Sequence, residues 1–181
     1  MTKTEITNLA LSHAREKSLN GNVETTDDLM AETVLQHYEQ TLKQILGSTR
    51  PAFAHKRTLL TEDATPPEFG WDKAYILPTD YVEMIRFRGD EQDSPHDAQY
   101  EIEGRRLLTD EGAAYLIYVG LELDTSLYDP EFVEAFALVL GAKIARSRRG
   151  DKDLAKELLT EGKAMVSECS AKSAQVRRQE N

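Results

Sequence analysis

Two hydrophobic patterns divide the chain, one typical of helices at both ends and one typical of strands in the middle. Apolar residues recur at steps of three and four over residues 1–50 and 129–170, which is the spacing of amphipathic helices. Over residues 51–120 short runs that favour extended chain replace that spacing. The pattern predicts an α+β fold that is mainly helical: an antiparallel helix bundle with a small inserted antiparallel β-sheet and an extended C-terminal arm.

The first 50 residues contain two predicted helices, each with a recognisable start. Thr2 and Glu5 have the spacing of a capping box, which predicts a helix that begins there and stops by Asn20-Gly21. Residues 25–28 are hydroxyl and carboxyl residues, which favour the start of a second helix. The apolar stripe of that second helix consists of Met30, Val34, Tyr38, Leu42 and Ile45, and Gly47-Ser48 closes it.

The middle segment is predicted to turn at a proline corner. Pro78 cannot donate a ladder hydrogen bond, so one extended piece ends at Leu77 and a second begins near Tyr81. The polar segment at residues 88–97 predicts a surface loop. Further strands are predicted at residues 58–60, 99–103 and 106–109 and, as the inner strand of the sheet, at residues 114–119.

The last part of the chain predicts a helical hairpin followed by an arm. Asp129-Pro130 is a strong helix start, and Gly150 marks the end of that helix. Phe132, Phe136 and Ile144 line one of its sides, and Leu154, Leu158, Leu159, Met165 and Cys169 form the buried side of a final helix. The organisation is a single domain over residues 1–181, with helices at 1–50, a β-rich insertion at 51–120, the hairpin at 129–170 and the arm at 171–181.

Composition limits the classes of function. The chain has 181 residues, of which 40% are hydrophobic, enough for one domain with a real core. Its formal net charge of −10 disfavours tight DNA binding by the free subunit. The single cysteine, Cys169, excludes an internal disulfide, and no apolar run reaches the roughly 18 residues of a membrane span. We expect a protein made in a reducing cytosol.

The signatures of common enzyme classes are missing from the sequence. It has no phosphate-binding glycine loop, no G-x-S-x-G elbow and no H-E-x-x-H pair. Asp72, Asp80 and Glu83 lie near the proline corner, where a general acid and base could meet. A simpler interpretation is that Asp80 accepts hydrogen bonds from backbone N–H groups in a turn. We therefore expect no enzyme activity and no cofactor.

Metal and stacking sites have equally plain explanations. The histidines, His13, His37, His55 and His96, are scattered singly, which is typical of packing or surface positions. The acidic residues at 90–97 lack the Gly and the terminal Glu of a calcium loop, so a solvated loop is predicted. The aromatic residues Phe69, Trp71, Tyr75 and Tyr81 suggest a nucleic-acid stacking platform, but the lack of interleaved basic residues favours core packing.

Basic residues near the C-terminus are the strongest candidates for a functional feature. The arginines at 146–149 are explained by helix termination. Arg177 and Arg178 have no such local explanation, and the arm that holds them has too few apolar residues to pack on its own domain. The predicted partner-docking residues are Lys172, Val176, Arg177 and Arg178.

Four segments, taken in chain order, resemble one known family. They read ITNLALS at residues 6–12, WDKAYILPTD at 71–80, YEIEGR at 100–105 and DPEFVEA at 129–135. Together they are similar to the tail tubular protein A family of short-tailed phages, whose members are head-to-tail adaptors, also called gatekeepers. The match departs at residues 51–54, where the family commonly has Trp-x-Phe-Ala and this chain has PAFA.

The resemblance implies a structural virion protein of a bacteriophage, made in the host cytoplasm and located at the head-to-tail junction. Its members would form a twelve-membered ring that assembles only on the portal protein. The other implied partners are tail nozzle or fibre proteins, and DNA would pass through the ring during packaging and ejection without sequence-specific binding. Such a protein needs complementary surfaces on its neighbours rather than catalytic residues.

Two alternatives from other classes remain open. One is a small tail-associated hydrolase that acts through Asp72, Asp80 and Glu83. The other is a cytosolic protein-binding module that uses the aromatic residues of the corner.

Overall fold

The computed structural model describes residues 1–90 and 98–179, without the side chains of Arg149 and residues 176–179. It has four α-helices and two small antiparallel sheets, so the predicted α+β class is confirmed. The chain divides into two compact units. The helical unit comprises Met1–Phe53 and Glu122–Asn181, and the β unit comprises Ala54–Leu121.

The helical unit contains α1 (Lys3–His13), α2 (Leu29–Thr49), α3 (Pro130–Arg149) and α4 (Lys152–Gln179), with short 3-10 helices at Ala52–Ala54 and Thr125–Leu127. The capping box at the start of α1 is confirmed, because the Thr2 hydroxyl accepts from the Glu5 amide at 3.2 Å and the Glu5 carboxylate accepts from the Thr2 amide at 2.7 Å. Asp28 caps α2 by accepting from the Met30 amide at 2.8 Å. The predicted start signals therefore act where the sequence places them.

The first helix ends well before Asn20. Arg15 adopts a left-handed conformation with φ of 57°, and the Glu16 amide donates to the Leu11 carbonyl at 2.9 Å. This arrangement satisfies the last carbonyls of α1 without a glycine. The Asn8 side chain then accepts from the Leu19 amide at 2.8 Å, which holds the following loop against the helix.

Helix α3 is buried almost all round, not on one side as its apolar stripe predicts. It packs against α1, α2 and α4, and every residue from 135 to 142 is buried. Small residues allow this close packing: a Cβ added at Gly141 would lie 2.8 Å from the Ala10 carbonyl oxygen of α1. Asp129 occupies the N-cap position with Pro130 next, as predicted, although its carboxylate makes no capping hydrogen bond.

The described residues of the β unit form seven strands: β1 (His55–Leu59), β2 (Thr61–Glu62), β3 (Lys73–Ile76), β4 (Tyr81–Arg88), β5 (Glu101–Glu103), β6 (Arg106–Thr109) and β7 (Tyr115–Gly120). They form two antiparallel sheets with the orders β1-β7-β4 and β2-β3-β6-β5. The expectation of a single sheet was therefore wrong. Leu60 connects β1 of one sheet to β2 of the other, and the proline corner connects β3 to β4 in the same way. The alternation of polar and apolar residues within single strands does not show which sheet a strand joins.

The β unit has a hydrophobic core of its own. Inward-facing side chains of both sheets form one cluster, in which Leu107 and Leu116 are almost fully buried. Burial of each such side chain contributes about 1.5–3 kcal/mol. The other buried members are Leu60, Tyr75, Leu77, Met84, Phe87, Ala114 and Tyr118.

Candidate functional site

The carboxylate of Asp80 is held by two side chains from other strands. Its Oδ2 lies 2.8 Å from Nζ of Lys56 in β1, and its Oδ1 accepts from the hydroxyl of Tyr118 in β7 at 3.0 Å. Gly120 leaves the room for this cluster, because a Cβ there would lie 2.7 Å from Lys56 Cδ and 2.9 Å from Asp80 Oδ2. Asp80 thus joins the corner to the three-stranded sheet.

The pKa values at this cluster agree with a structural role. Partial burial acts to raise the pKa of Asp80, but the hydrogen bonds from Lys56 and Tyr118 outweigh it and the pKa is lowered. Burial, together with the hydrogen bond to Asp80, raises the pKa of Tyr118 to about 12. Asp80 is therefore a stable carboxylate at neutral pH, unlike a general acid, whose pKa lies near the working pH.

Asp72 and Asp80 do not converge on one site. Asp72 precedes β3 and Asp80 follows it. At about 3.3 Å per strand residue, Asp72 lies roughly 16 Å from Leu77 at the other end of the strand. Glu83 lies in β4 opposite Val119 and has interactions of its own. Asp72 and Asp80 therefore do not form the arrangement that a paired acid and base would need.

The aromatic residues of the corner point to different surroundings. Tyr75 is buried in the core, and Tyr81 stacks on Tyr118 with ring centroids 6.0 Å apart. Trp71 is half-buried and donates to Glu101 at 3.2 Å. Phe69 is 86% exposed. The core interpretation is right for Tyr75 and wrong for Phe69.

The described histidines are used in packing and local contacts. His13 Nε2 in α1 lies 2.9 Å from a Glu134 carboxylate oxygen in α3, a close contact without the alignment of a hydrogen bond. Over residues 1–90 and 98–179, no group of three or more His, Cys, Asp or Glu side chains could hold a metal ion. Of the surface loop predicted at residues 88–97, Arg88 instead belongs to β4, and residues 91–97, including His96, lie outside the described residues.

The C-terminal helix, α4, extends beyond the first turn of α3, the helix on which it packs. Gly150 and Asp151 connect α3 to α4, and Lys172 contacts Glu131 in the first turn of α3, so the two helices run antiparallel. Residues 173–179 of α4 continue beyond that contact for about 10 Å at 1.5 Å per residue. The segment predicted as an arm is thus helical through Gln179.

Burial falls along α4 as the helix leaves its hairpin. Leu154, Leu158 and Gly162 are buried, whereas none of residues 163–175 is. The apolar side chains in that distal part, Met165, Val166 and Cys169, are only half-buried. Partial burial raises the pKa of the Cys169 thiol. The distal part of α4 therefore retains an incompletely covered apolar face.

The structure places one of the four predicted docking residues in a contact within the chain. Lys172 pairs with Glu131, and that hydrogen bond raises the pKa of Lys172. The backbone of Val176, Arg177 and Arg178 belongs to α4, and their side chains lie outside the described part of the structure. Their role in docking stays a prediction.

The helical unit has a basic groove that was not predicted from the sequence. It has a volume of about 540 Å³, and α2 contributes Gln44 to its wall. Buried or half-buried apolar residues form its floor: Val139, Ala142, Ala155 and Leu159. Five cations surround that floor: Lys143, Arg146, Lys152, Lys156 and Lys163.

Helical spacing explains how these cations converge. Lys152, Lys156 and Lys163 stand at steps of four and seven on α4, and Lys143 and Arg146 share a face of α3. Partial burial lowers the pKa of Lys143, whose Nζ donates to Gln44 at 3.4 Å. The spacing of these cations is present in the sequence. Helix termination is a sufficient explanation for Arg146, however, so the sequence did not indicate that the lysines of α4 share a surface with it.

The chain matches no model of a known protein family and no curated protein. Among the described helices, none combines the length and the apolar character needed to cross a membrane.

Proposed function

We propose that the protein is a structural component of a phage virion, a head-to-tail connector adaptor. In this role copies of the chain form a ring between portal and tail, and the ring surrounds the DNA channel. The proposal rests on the resemblance of four ordered segments to the tail tubular protein A family. The structural observation that supports it is the distal part of α4, in which none of residues 163–175 is buried.

A helix of this kind is suited to a partner groove. An apolar face that its own domain leaves half-covered gains free energy when a neighbour covers it. Arg177 and Arg178 follow that face and can pair with carboxylates of the portal. The helix bundle with its inserted β unit then acts as the body of the adaptor, and residues 171–181 act as its docking arm.

The acidic character of the chain fits a DNA passage. A ring lined by acidic surface of this chain, whose net charge is −10, would attract a polyanion weakly or not at all, so DNA could slide. Tail nozzle or fibre proteins would dock on the opposite side of such a ring. An assembled channel with a basic lining would contradict this part of the proposal.

The geometry of the corner argues against the hydrolase alternative. Asp80 is committed to Lys56 and Tyr118, and Asp72 lies at the other end of β3. The protein-binding alternative has one observation in its favour, the 86% exposure of Phe69. Substitution of Phe69 by Ser distinguishes the adaptor from the protein-binding module. An adaptor that docks through α4 retains its attachment to portal, whereas a module that binds its partner through Phe69 loses that binding.

The test is to mix the purified chain with the portal protein of its own virus and to image the complexes by electron microscopy. We expect rings of the chain on one face of the portal. A chain that lacks residues 171–181 should keep its fold, because the exposed Lys172–Glu131 pair is the only described hydrogen bond or ion pair between side chains that the deletion removes. It should fail to attach.

The matched control is Glu131→Gln in the full chain, which breaks the same ion pair and leaves every residue of the arm in place. Circular dichroism should give the same melting temperature for both variants. Full attachment by the truncated chain would show that the arm is not the docking element. Absence of any complex between the intact chain and portal would refute the connector role.

A further inference from the structure

The basic groove is a local excess of positive charge in the helical unit. Five cations line it and no carboxylate does. Across the described residues, no carboxylate forms an ion pair with Arg146, Lys152, Lys156 or Lys163. Like charges held together repel one another, and the cost is offset when an anionic ligand binds among them.

The floor of the groove restricts the class of ligand. Single-stranded nucleic acid presents phosphates to cations and bases to aromatic side chains, and none of the described lining residues of this groove is aromatic. Its floor is aliphatic, formed by residues such as Val139 and Leu159. An acidic peptide segment with a projecting aliphatic side chain satisfies both the cations and the floor.

The chain itself carries such a segment at the start of α2. Leu29 is 68% exposed, although it opens an otherwise amphipathic helix. Asp27 and Asp28 precede it and Glu32 follows one turn later, and all three are exposed. Asp28 caps the helix through one oxygen, so the segment has a fixed backbone and a row of carboxylates beside an aliphatic tip. We call residues 27–32 the acidic tip.

One copy cannot place its acidic tip in its own groove. Leu29 of the tip and Gln44 of the groove both lie on α2. The 15 residues between them span roughly 22 Å at 1.5 Å per residue of helix. The two surfaces are therefore separate patches of the helical unit, and a contact between them joins different copies head to tail.

We propose that the basic groove of one copy binds the acidic tip of a second copy, and that this is the contact between neighbours in the ring. The inference rests on the proposed connector function for its ring, but the contact itself depends only on the groove and the tip. Leu29 covers the apolar floor, while the carboxylates of Asp27 and Glu32 face Lys152, Lys156 and Lys163. A head-to-tail contact of this type closes into a ring or grows into a filament.

The contact is small and charged, and these two properties determine the expected strength and salt dependence of self-association. A tip of one helical turn buries far less than the roughly 800 Å² per partner of a stable complex. We expect weak association in solution, strengthened when a portal holds many copies at high local concentration. Association should weaken at least tenfold between about 0.05 M and 0.5 M salt, because screening shortens the reach of the charges.

The experiment uses two full-length variants with one defective surface each. The groove variant carries Lys152→Gln, Lys156→Gln and Lys163→Gln, and keeps its acidic tip. The tip variant carries Asp27→Asn, Leu29→Ala and Glu32→Gln, and keeps its groove and the Asp28 cap. Each variant alone should remain monomeric at concentrations where the wild-type chain self-associates, as measured by sedimentation velocity.

Mixing the two variants is the decisive measurement. When the 15N-labelled tip variant is titrated with unlabelled groove variant, amide shifts should appear around residues 143–146 and 152–163, and the complex should stop at one copy of each. Titration of the labelled tip variant with unlabelled tip variant should give no shifts. A variant with Lys17→Gln and Lys43→Gln, two cations outside the groove, should associate like the wild type.

Three results would overturn the inference. The first is the absence of groove shifts in the mixed titration at millimolar protein. The second is equal shifts in both titrations, which would show that the tip is not the ligand. The third is groove binding of a short DNA duplex at concentrations where the acidic tip gives no shift. Portal attachment of the two variants is scored separately, so a failed connector role with an intact mixed titration leaves the contact in place.

Discussion

Asp80 shows how a single carboxylate can fix a corner between two sheets. Its two side-chain partners lie 24 and 38 residues away in the chain. Its backbone carbonyl also accepts from the Leu121 amide at 2.7 Å. Hydrogen bonds to a charged group contribute more than those between neutral groups, so this residue stabilises the β unit well beyond its own turn.

We expect Asp80→Asn to lower the free energy of unfolding by about 1–2 kcal/mol at pH 7, because the amide keeps the shape but loses the charge. The folded-state pKa of Asp80 is lowered. Its contribution is therefore present above the unfolded pKa of about 3.9 and is lost as the pH falls through the folded value. Urea unfolding of both proteins at pH 7, 5 and 3.5 should show a difference that shrinks below about pH 4.

Asp72→Asn is the matched control for that measurement. Asp72 is exposed, and its described contact is through its backbone amide, which donates to Asp110 at 2.9 Å. An exposed substitution of this kind changes stability by less than about 0.5 kcal/mol. Equal effects of the two substitutions would contradict the structural role of Asp80.

The residue roles that could be predicted from the sequence are those that involve nearby residues in the chain. The pair Thr2 and Glu5, the cap at Asp28 and the left-handed Gly150 all operate within four residues of chain. Lys56 could not be paired with Asp80 in advance, because their contact depends on how β1 and β7 align. The groove depends in the same way on the packing of α4 against α3.

Helices α1, α3 and α4 meet where glycine removes a side chain. The Cβ of a residue at Gly141 would lie 2.8 Å from the Ala10 carbonyl oxygen, and one at Gly162 would lie 2.8 Å from a Val139 methyl group. The backbone contact at Gly141 is the less forgiving, since a carbonyl of α1 cannot rotate away as a side chain can. These positions set the distances between the helices.

We expect Gly141→Ala to destabilise the protein by about 1–2 kcal/mol. Overpacking costs roughly 1–3 kcal/mol, and the better helix propensity of alanine offsets up to about 1 kcal/mol of that. The urea midpoint should fall with an unchanged m-value. Gly112→Ala is the control, since a Cβ there meets no atom within 4 Å and its φ is not in the left-handed region. A rise in stability for Gly141→Ala would contradict the close crossing of α1 and α3.

Element positions followed from the sequence more closely than their arrangement did. The strands on both sides of Pro78 and the hairpin of β5 and β6 lie where the alternation of polar and apolar residues predicts them. Their division between two sheets depends on pairing partners far along the chain, such as Lys73 with Thr109. Likewise the stripe of α3 indicated one buried face, since neighbouring helices cannot be counted from a single helix.

At the scale of the whole molecule, the chain leaves and re-enters the helical unit through adjacent positions of the β unit. His55 and Val119 are directly paired in antiparallel β1 and β7. Paired residues have Cα atoms about 5 Å apart. The β unit is therefore an insertion with neighbouring ends, of the kind that can be removed or exchanged without spanning a large gap.

We expect residues 54–121 to fold when produced alone, because the two sheets enclose a core of their own. A unit of this size is only marginally stable, so its unfolding midpoint should be low but its transition cooperative. Near-ultraviolet circular dichroism and urea titration measure both properties. A chain in which a short glycine-serine linker replaces residues 54–121 should retain the helices. Loss of cooperative unfolding in both fragments would show that neither unit is independent.

The pairing of His55 with Val119 also determines how the β unit responds to tension. A force that pulls its two ends apart acts across β1 and β7 at their shared end, where the pairs from His55–Val119 to Leu59–Tyr115 stand in sequence. The backbone hydrogen bonds of these residue pairs then break one after another, so the force is never distributed over all of them at once. The unit therefore yields to stretching at far lower force than a pair of strands sheared along their length.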